Sequence, residues 1–304
     1  MSGPRARQLL KQWTFRLLCT RWVNFFLTRL VKPFAGLLPR SARDRLPFVG
    51  QLKIPVAGSR AMVLETDGTD WIASRLFWSG QESFEPETRA VFLSLLRSSR
   101  VFFDVGANTG LYTLLAALSP GERQVHAFEA VPRTYARLER NLAMNRASNA
   151  VAVCGAAGDR DGEINLYIPG GPYLPISAST RRNFRRAEEV ITVPAMRLDG
   201  YREREGIQAV DLLKIDTEST EPEVLEGARG ILRTDQPIII CEVLAGLTED
   251  ALNALFADTN YRFFHITAEG LSQAKWIRGD ETYRWMNYLF VTPRRLAIVK
   301  PWVR

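Results

Sequence analysis

The residues of this chain best placed to do chemistry are carboxylates that follow apolar runs. Asp104 ends the run Val101-Phe102-Phe103, Glu129 ends 124–128, Asp216 follows 210–215 and Glu242 closes 237–241. A carboxylate at a strand end can accept the hydroxyls of a sugar, balance a cation or take a proton. After the first of these acids comes Gly106-Ala107-Asn108-Thr109-Gly110. Its two glycines let the backbone turn sharply and approach a ligand, and the amides opening the helix that follows offer donors to an anionic group. An apolar strand, a Gly-x-x-x-Gly turn and a helix over 110–118 together describe a cofactor shelf.

A dinucleotide fingerprint would read Gly-x-Gly-x-x-Gly, and Asn108 stands where its second glycine would let a pyrophosphate approach. Glu129 is placed to accept both ribose hydroxyls of an adenosine ligand, which suits NAD and S-adenosylmethionine equally. Asp104 separates the two, because an anion beside the shelf suits a cationic, amine-bearing methionine better than a pyrophosphate. Downstream, Asp216-Thr217-Glu218-Ser219-Thr220-Glu221 sets three carboxylates just past a strand end, with Lys214 on the same face as Asp216. This is the expected acid/base cluster. Glu218 has no evident structural duty and is predicted to be the acceptor-facing base. Asp216 either orients the cofactor's amino group or a bound water, or shares in catalysis. Glu221 either joins it or caps the following helix, with Thr220 or Ser219 as N-cap. Lys214, within an apolar strand, is expected to form a buried ion pair with one of these acids.

Over roughly residues 76–243 the chain resembles the FkbM-type S-adenosylmethionine-dependent methyltransferases. The likeness is carried by Phe103-Asp104-Val105-Gly106-Ala107-Asn108-Thr109-Gly110, Ala127-Phe128-Glu129, Asn141-Leu142-Ala143-Met144-Asn145, Leu213-Lys214-Ile215-Asp216-Thr217-Glu218-Ser219-Thr220-Glu221 and Val224-Leu225-Glu226-Gly227-Ala228. Ala130 stands where the family usually has Pro, and Ser219 where its Asp-x-Glu-Gly-x-Glu has Gly. The resemblance implies S-adenosyl-L-methionine as cofactor, held by Asp104, Gly106, Asn108, Thr109, Gly110, Glu129 and Asp216. It also implies transfer to a hydroxyl of a sugar, glycolipid or polyketide. Phe77-Trp78-Ser79-Gly80-Gln81-Glu82-Ser83-Phe84-Glu85-Pro86 resembles the family's segment before the first strand. Glu85 there either touches the ligand or caps the helix that Pro86 opens.

These residues require an α/β framework. Strands are predicted at 101–105, 124–129, 150–154, 210–215, 237–243, 261–267 and 287–292, with helices over 86–96, 110–118, 132–145, 221–232 and 247–258. That alternation predicts a doubly wound, mostly parallel Rossmann-like sheet of seven strands that ends in an antiparallel pair. Between 150–154 and 210–215 lies an interruption with strands at 163–168 and 190–193, a Pro/Gly-rich loop at 169–175 and the basic run Arg181 to Arg186. Its length suggests that it covers the acceptor, its arginines being either a solvated surface or an anion clamp. The division read is 1–45 extension, 46–99 lead-in with short strands at 53–56 and 61–65, 100–295 catalytic domain and 296–304 tail.

The charge is uneven. Residues 1–45 hold ten Lys and Arg against the single acid Asp44, so +9 of the whole-chain +7 resides there and about −2 remains for the rest. Trp13, Phe15, Leu17, Leu18, Trp22, Val23, Phe25, Phe26, Leu27 and Leu30 lie among those arginines. Arg16, Arg21 and Arg29 interrupt the run, which argues against a spanning helix, and no cleavage site follows to suggest a signal peptide. Two readings stay open. One is an interfacial helix on an anionic membrane, where each basic residue contributes roughly 1 kcal/mol. The other, favoured because the apolar positions wrap too far around one helix for a clean stripe, is packing on the catalytic domain. Nucleic acid is not an expected partner, since the later domain has no matching basic run.

Cys19, Cys154 and Cys241 are widely spaced without Cys-x-x-Cys, which predicts reduced thiols and a cytoplasmic setting. Glu242 with Asp216 and Glu218 offers oxygen ligands to Mg²⁺. No Asp-Asn pair accompanies them and the resemblance implies no metal, so none is expected. His126 and His265 sit mid-strand and are predicted to be packed rather than catalytic.

Overall fold

The computed structural model describes residues 4–175, 178–182 and 186–304. Its strands are β1 (Val49–Ile54), β2 (Met62–Asp67), β3 (Val101–Val105), β4 (Gln124–Glu129), β5 (Ala150–Cys154), β6 (Ala156–Ala157), β7 (Gly162–Pro169), β8 (Ala187–Met196), β9 (Leu212–Ile215), β10 (Ile238–Glu242), β11 (Arg262–Thr267), β12 (Gly270–Ala274) and β13 (Asn287–Val291). The main sheet runs β12-β11-β13-β10-β9-β3-β4-β5. The five strands from β10 to β5 are parallel, and β13 runs antiparallel between β10 and β11. All seven expected strands are present. An eighth, β12, joins the edge beside β11.

Alternation along the strands builds two cores. Phe102, Leu212, Ile240 and Leu289 face one side, packed with helices Pro86–Leu95 and Leu111–Leu118 and the β1–β2 hairpin. Phe103, Leu213, Ile239 and Phe290 face the other, against Leu198–Arg204, Glu221–Glu226 and Glu249–Phe256. Chain order reverses between β3 and β9, with β4 on one side of β3 and β9 on the other, so a crevice opens at their carboxyl ends.

The Asn141-x-x-x-Asn145 spacing places both amides on one face of helix Pro132–Met144 and its cap. Their side-chain oxygens accept the Glu65 and Val63 amides of β2 at 2.9 and 2.8 Å, and Asn141 Nδ2 donates to Thr109 O at 2.8 Å. This motif therefore ties the hairpin to the shelf loop. The helix expected over 221–232 is broken into Glu221–Glu226 and Arg229–Thr234. A Cβ on Gly227 would stand 1.9 Å from Gly158 O, and the Asp199 carboxylate accepts the Gly230 and Ile231 amides at 2.7 and 2.9 Å. The second piece thus starts on a capping acid from elsewhere in the chain.

The apolar part of the extension is two helices, Pro4–Cys19 and Arg21–Val31, where one continuous helix was expected, and short helical turns at Lys32–Leu37 and Arg40–Arg43 follow. Asn24, buried, donates to Leu18 O and Pro47 O at 3.0 and 2.9 Å and accepts the Val49 amide at 2.8 Å. Phe15 meets Tyr173 edge-on at 4.8 Å, and Lys32 Nζ donates to Phe77 O. The packing reading therefore holds for the inner face. At the other end, Val303 bridges Leu271 and Val299 is fully buried, so the tail seals the β12 edge.

Candidate active site

Gly106 has φ +82°, and a Cβ there would stand 1.8 Å from Asp216 O. Only glycine allows the loop after β3 and the loop after β9 to touch. The Gly106 and Ala107 amides both donate to Phe128 O at 3.0 Å, pinning the turn to β4. Gly110, φ +98°, opens helix Leu111–Leu118, and a Cβ there would stand 2.7 Å from Leu138 Cδ1. Asn108 adopts a left-handed φ of 51° and donates its amide to Glu129 Oε2 at 2.9 Å, while Val131 N donates to Oε1 at 2.8 Å. Burial pushes the Glu129 carboxyl up to about 7 despite these two bonds.

Two shelf residues sit differently from the expectation that all seven would face the cofactor. The Thr109 hydroxyl, buried, donates to Asp70 Oδ2 at 2.7 Å, and Asp70 Oδ1 caps helix Trp71–Ser79 at the Ala73 amide. Thr109 ties the lead-in to the shelf because its side chain follows a left-handed residue that turns it inward. Asp104, 1 % exposed, stands behind the shelf, accepts the Thr113 hydroxyl at 2.6 Å and is in register with Lys214. Burial raises its carboxyl, opposed by the Lys214 charge.

Lys214 makes the expected ion pair, with Nζ 2.7 Å from Asp216 Oδ2. The ammonium also lies 4.6 Å from the centre of the Tyr112 ring. Burial alone would lower its pKa, but the charges of Asp216, Glu85 and Asp104 outweigh that and raise it, so it stays protonated. Tyr112 donates to Glu85 Oε2 at 2.6 Å and Asn287 Nδ2 donates to Oε1 at 3.1 Å. Glu85 adopts φ 43° and makes no cap bond to the helix after it. Its carboxylate is held at the site instead. Tyr112 and Asn287 were not anticipated. Tyr112 is hidden in the apolar run of its helix, whereas Asn287, a polar residue opening an apolar strand, was a readable signal.

The 216–221 loop is wrapped around one carboxylate. Glu221 Oε1 accepts Thr217 N, Thr217 Oγ1 and Ser219 N at 3.0, 3.1 and 3.2 Å. Glu221 is fully buried, and burial pushes its carboxyl up to about 7. It organises the loop, and it is absent from the lining of the two cavities described below. Thr220 is the N-cap residue but donates its hydroxyl to Thr217 O at 3.1 Å. Glu218 and Ser219 both have positive φ, 56° and 80°, so Ser219 adopts at the family's glycine position the conformation that glycine takes freely.

Two cavities meet here. One runs from Glu129, Ala130 and Val131 past Gly106 and Asn108 to Asp216, Thr217 and Glu218. The interrupting insertion closes this pocket, with Leu166, Pro175, Ser179 and Thr180 in its wall, rather than covering the other. The second is a cleft of about 820 Å³ between the lead-in (Trp71, Arg75, Glu85) and Leu244, Leu247 and Tyr283–Met286. Gly106, Asn108, Asp216 and Glu218 line both. Carboxylate oxygens of Asp216, Glu218 and Glu242 lie within 4.8 Å of one another. Glu242 is 5 % exposed with Oε2 unpartnered, and burial, reinforced by the charges of Asp216, Glu218 and Glu221, raises its carboxyl well above the usual range.

The remaining candidates are structural. His126 Nδ1 lies 2.8 Å from the Tyr201 hydroxyl and burial lowers its pKa, and His265 Nε2 lies 2.7 Å from Trp285 O. In the basic run, Arg181 pairs with Glu223 at 3.0 Å, while Arg185 lies outside the described residues. The three cysteines are free thiols, and among the described residues no helix is long and apolar enough to cross a membrane.

A doubly wound sheet with a glycine-tight shelf, a strand-end Glu beside it and a second cleft on the same rim defines a methyltransferase-type α/β protein. The chain belongs to the FkbM methyltransferase family: the methyltransferase FkbM domain matches residues 104–266. The cofactor of this family is S-adenosyl-L-methionine. The chain is similar to 31-O-demethyl-FK506 methyltransferase FkbM of Streptomyces tacrolimicus, 31% identical over 157 residues that cover 43% of this chain and 60% of the relative. It is also similar to methyltransferase sdnD of Sordaria araneosa, 31% identical over 159 residues, 43% and 61% of the two chains. The match thus spans about three fifths of these relatives' lengths. Among solved structures, the FkbM methyltransferase of Methylobacillus flagellatus KT aligns over 72% of this chain and 54% of its own at 15% identity, with TM-score 0.42.

Proposed function

We propose that the protein is an S-adenosylmethionine-dependent O-methyltransferase acting on a hydroxyl of a sugar, glycolipid or polyketide-type acceptor. The observation that carries this reading is the shared wall of the two cavities. A donor pocket and an acceptor cleft that meet at Gly106, Asn108, Asp216 and Glu218 are what an in-line transfer requires. The relative from Streptomyces tacrolimicus is named for a methyl transfer to oxygen, which supports a hydroxyl acceptor.

The residues fit the cofactor. Glu129 spends one lone pair of each oxygen on a backbone amide and keeps others for ribose hydroxyls. The Gly106 turn brings main chain to the ligand without a side chain. When bound, S-adenosylmethionine supplies an electrophilic methyl on a sulfonium. The Lys214–Asp216 pair, backed by Asp104, fixes the Asp216 carboxylate at the meeting point of the cavities. Glu218 receives the proton of the acceptor hydroxyl, and Trp71, Ile72 and Phe84 of the lead-in give the cleft an apolar wall. No step is assigned to a metal, and unchanged turnover after chelation with EDTA is the expected outcome. A second reading, a membrane-surface protein that keeps the fold without turnover, is motivated by Ser219. Against it stands the Glu221-centred loop, which keeps its hydrogen bonds with Ser in place.

Incubation with S-adenosylmethionine and a panel of hydroxylated glycans, glycolipids and polyketides, followed by mass spectrometry, tests the proposal. A methyl increment on an acceptor oxygen supports it. Methylation on nitrogen or carbon alone contradicts it.

A further inference from the structure

The extension has an outer face that the domain does not cover. Leu10, Trp13 and Leu17 on the first helix, and Trp22, Phe25, Phe26 and Leu30 on the second, are exposed, followed by Phe34 and Leu37. Spacings of three and four residues put each set on one side of its helix. The break at Thr20 resets the phase, so residues that would wrap around a single helix form a stripe on each of two. Trp22 is 75 % and Leu37 83 % exposed, whereas Phe15, Leu18, Val23, Asn24 and Leu27 turn toward the domain. Nine of the fifteen large apolar side chains exposed among the described residues fall within these 28 positions, so the apolar face is a concentrated patch and not ordinary scatter.

Charge decides what covers it. Lys11, Arg16, Arg21, Arg29 and Arg40 are exposed along the same segment, and the only acid before residue 46 is Asp44. A second copy would bring the same positive charges against these, at an energetic cost. An anionic lipid bilayer offers negative headgroups to the arginines and acyl chains to the leucines, with the interfacial depth that tryptophan favours. The helices are held rigidly: Asn24 is bonded on both sides, Lys32 packs on Phe77, and Arg40 lines the rim of the 820 Å³ cleft. We infer that residues 10–37 dock the protein on an anionic membrane surface, bringing the acceptor cleft to the bilayer. This inference stands whether or not the chain transfers methyl groups.

Flotation of the full chain with vesicles of equimolar phosphatidylglycerol and phosphatidylcholine, against pure phosphatidylcholine, tests it. The chain is expected to float with the anionic vesicles and stay down with the neutral ones. Trp13→Ser/Trp22→Ser/Phe26→Ser should abolish flotation. Arg16→Gln/Arg21→Gln/Arg29→Gln should weaken it on the order of 100-fold, from roughly 1 kcal/mol for each basic residue. Both variants alter exposed side chains, and an unchanged thermal melting point shows that they fold. Flotation that survives both substitutions in folded protein overturns the inference. So does a dimer by analytical ultracentrifugation that the aromatic variant abolishes, with no flotation of the parent chain.

Discussion

The proposed cofactor pocket and the proposed acceptor cleft are built on opposite terms. Around Glu129 the carboxylate is met by two amides, the turn is closed by Gly106 and Gly110, and the loop is bonded to β4. Around Glu218 the polar atoms Ser219 Oγ, Glu221 Oε2, Glu242 Oε2 and Asn287 Oδ1 are buried without protein partners. Of the seven non-glycine residues with positive φ among those described, Glu85, Glu218, Ser219 and Tyr283 lie in or beside the acceptor cleft, and Asn108 lies at the border. Such backbone is kept only where the surroundings over-determine it, and it concentrates at functional sites. On the proposed reading, the hydrogen-bonded half is the cofactor socket and the half with strained backbone and unsatisfied polar groups is the acceptor side.

Substitutions can break this contrast, and the largest effect is expected on turnover. Glu218→Gln should lower kcat by about 10² to 10⁴ while leaving S-adenosylmethionine affinity nearly unchanged, as measured by steady-state kinetics beside calorimetry. Normal turnover would remove Glu218 as the base. On the socket side, Gly106→Ala forces a methyl onto Asp216 O and should cost roughly 2 to 4 kcal/mol in denaturant unfolding, together with cofactor binding. A pH series follows. Because Glu129 has a folded pKa of about 7, above its unfolded value, the folded chain holds a proton that the unfolded chain releases. Stability of the ligand-free protein should therefore be greatest below about pH 4.5 as far as this group is concerned, and fall by roughly 3 kcal/mol as pH rises through 7. S-adenosylhomocysteine should reduce that fall in calorimetric melts, since ribose hydroxyls favour the ionised carboxylate. The smallest effect sharpens the comparison: Ser219→Gly relieves a left-handed serine and a buried hydroxyl and should stabilise by about 1 kcal/mol in urea. A destabilised variant would mean that the serine side chain has a partner of its own.

The sequence was most readable where local pattern and global fold agree. Apolar runs ending in Asp104, Glu129, Asp216 and Glu242 marked the strands and the rim together, because a buried acid near a strand's carboxyl end draws on partners that the rim loops and neighbouring elements supply, as for Asp104 and Glu129. It was least readable where a distant residue decides the outcome. The break after Glu226 depends on Gly158 and Asp199, and Thr109 turns away because Asp70 is there. The edge strand β12, Gly-Leu-Ser-Gln-Ala, buries only Leu271 fully, so its pattern is too weak to announce it. The two helices of the extension were misread as one because a break at Thr20 leaves no proline or glycine to mark it.

Calorimetric titration of S-adenosylhomocysteine into the purified chain and into Glu129→Ala is the most direct test of the proposed cofactor socket. Saturable binding by the parent chain and a loss on the order of 100-fold in the variant are expected, from the charged hydrogen bonds removed. No binding by the parent chain, or equal affinity in the two proteins, would contradict the assignment of Glu129 and its shelf.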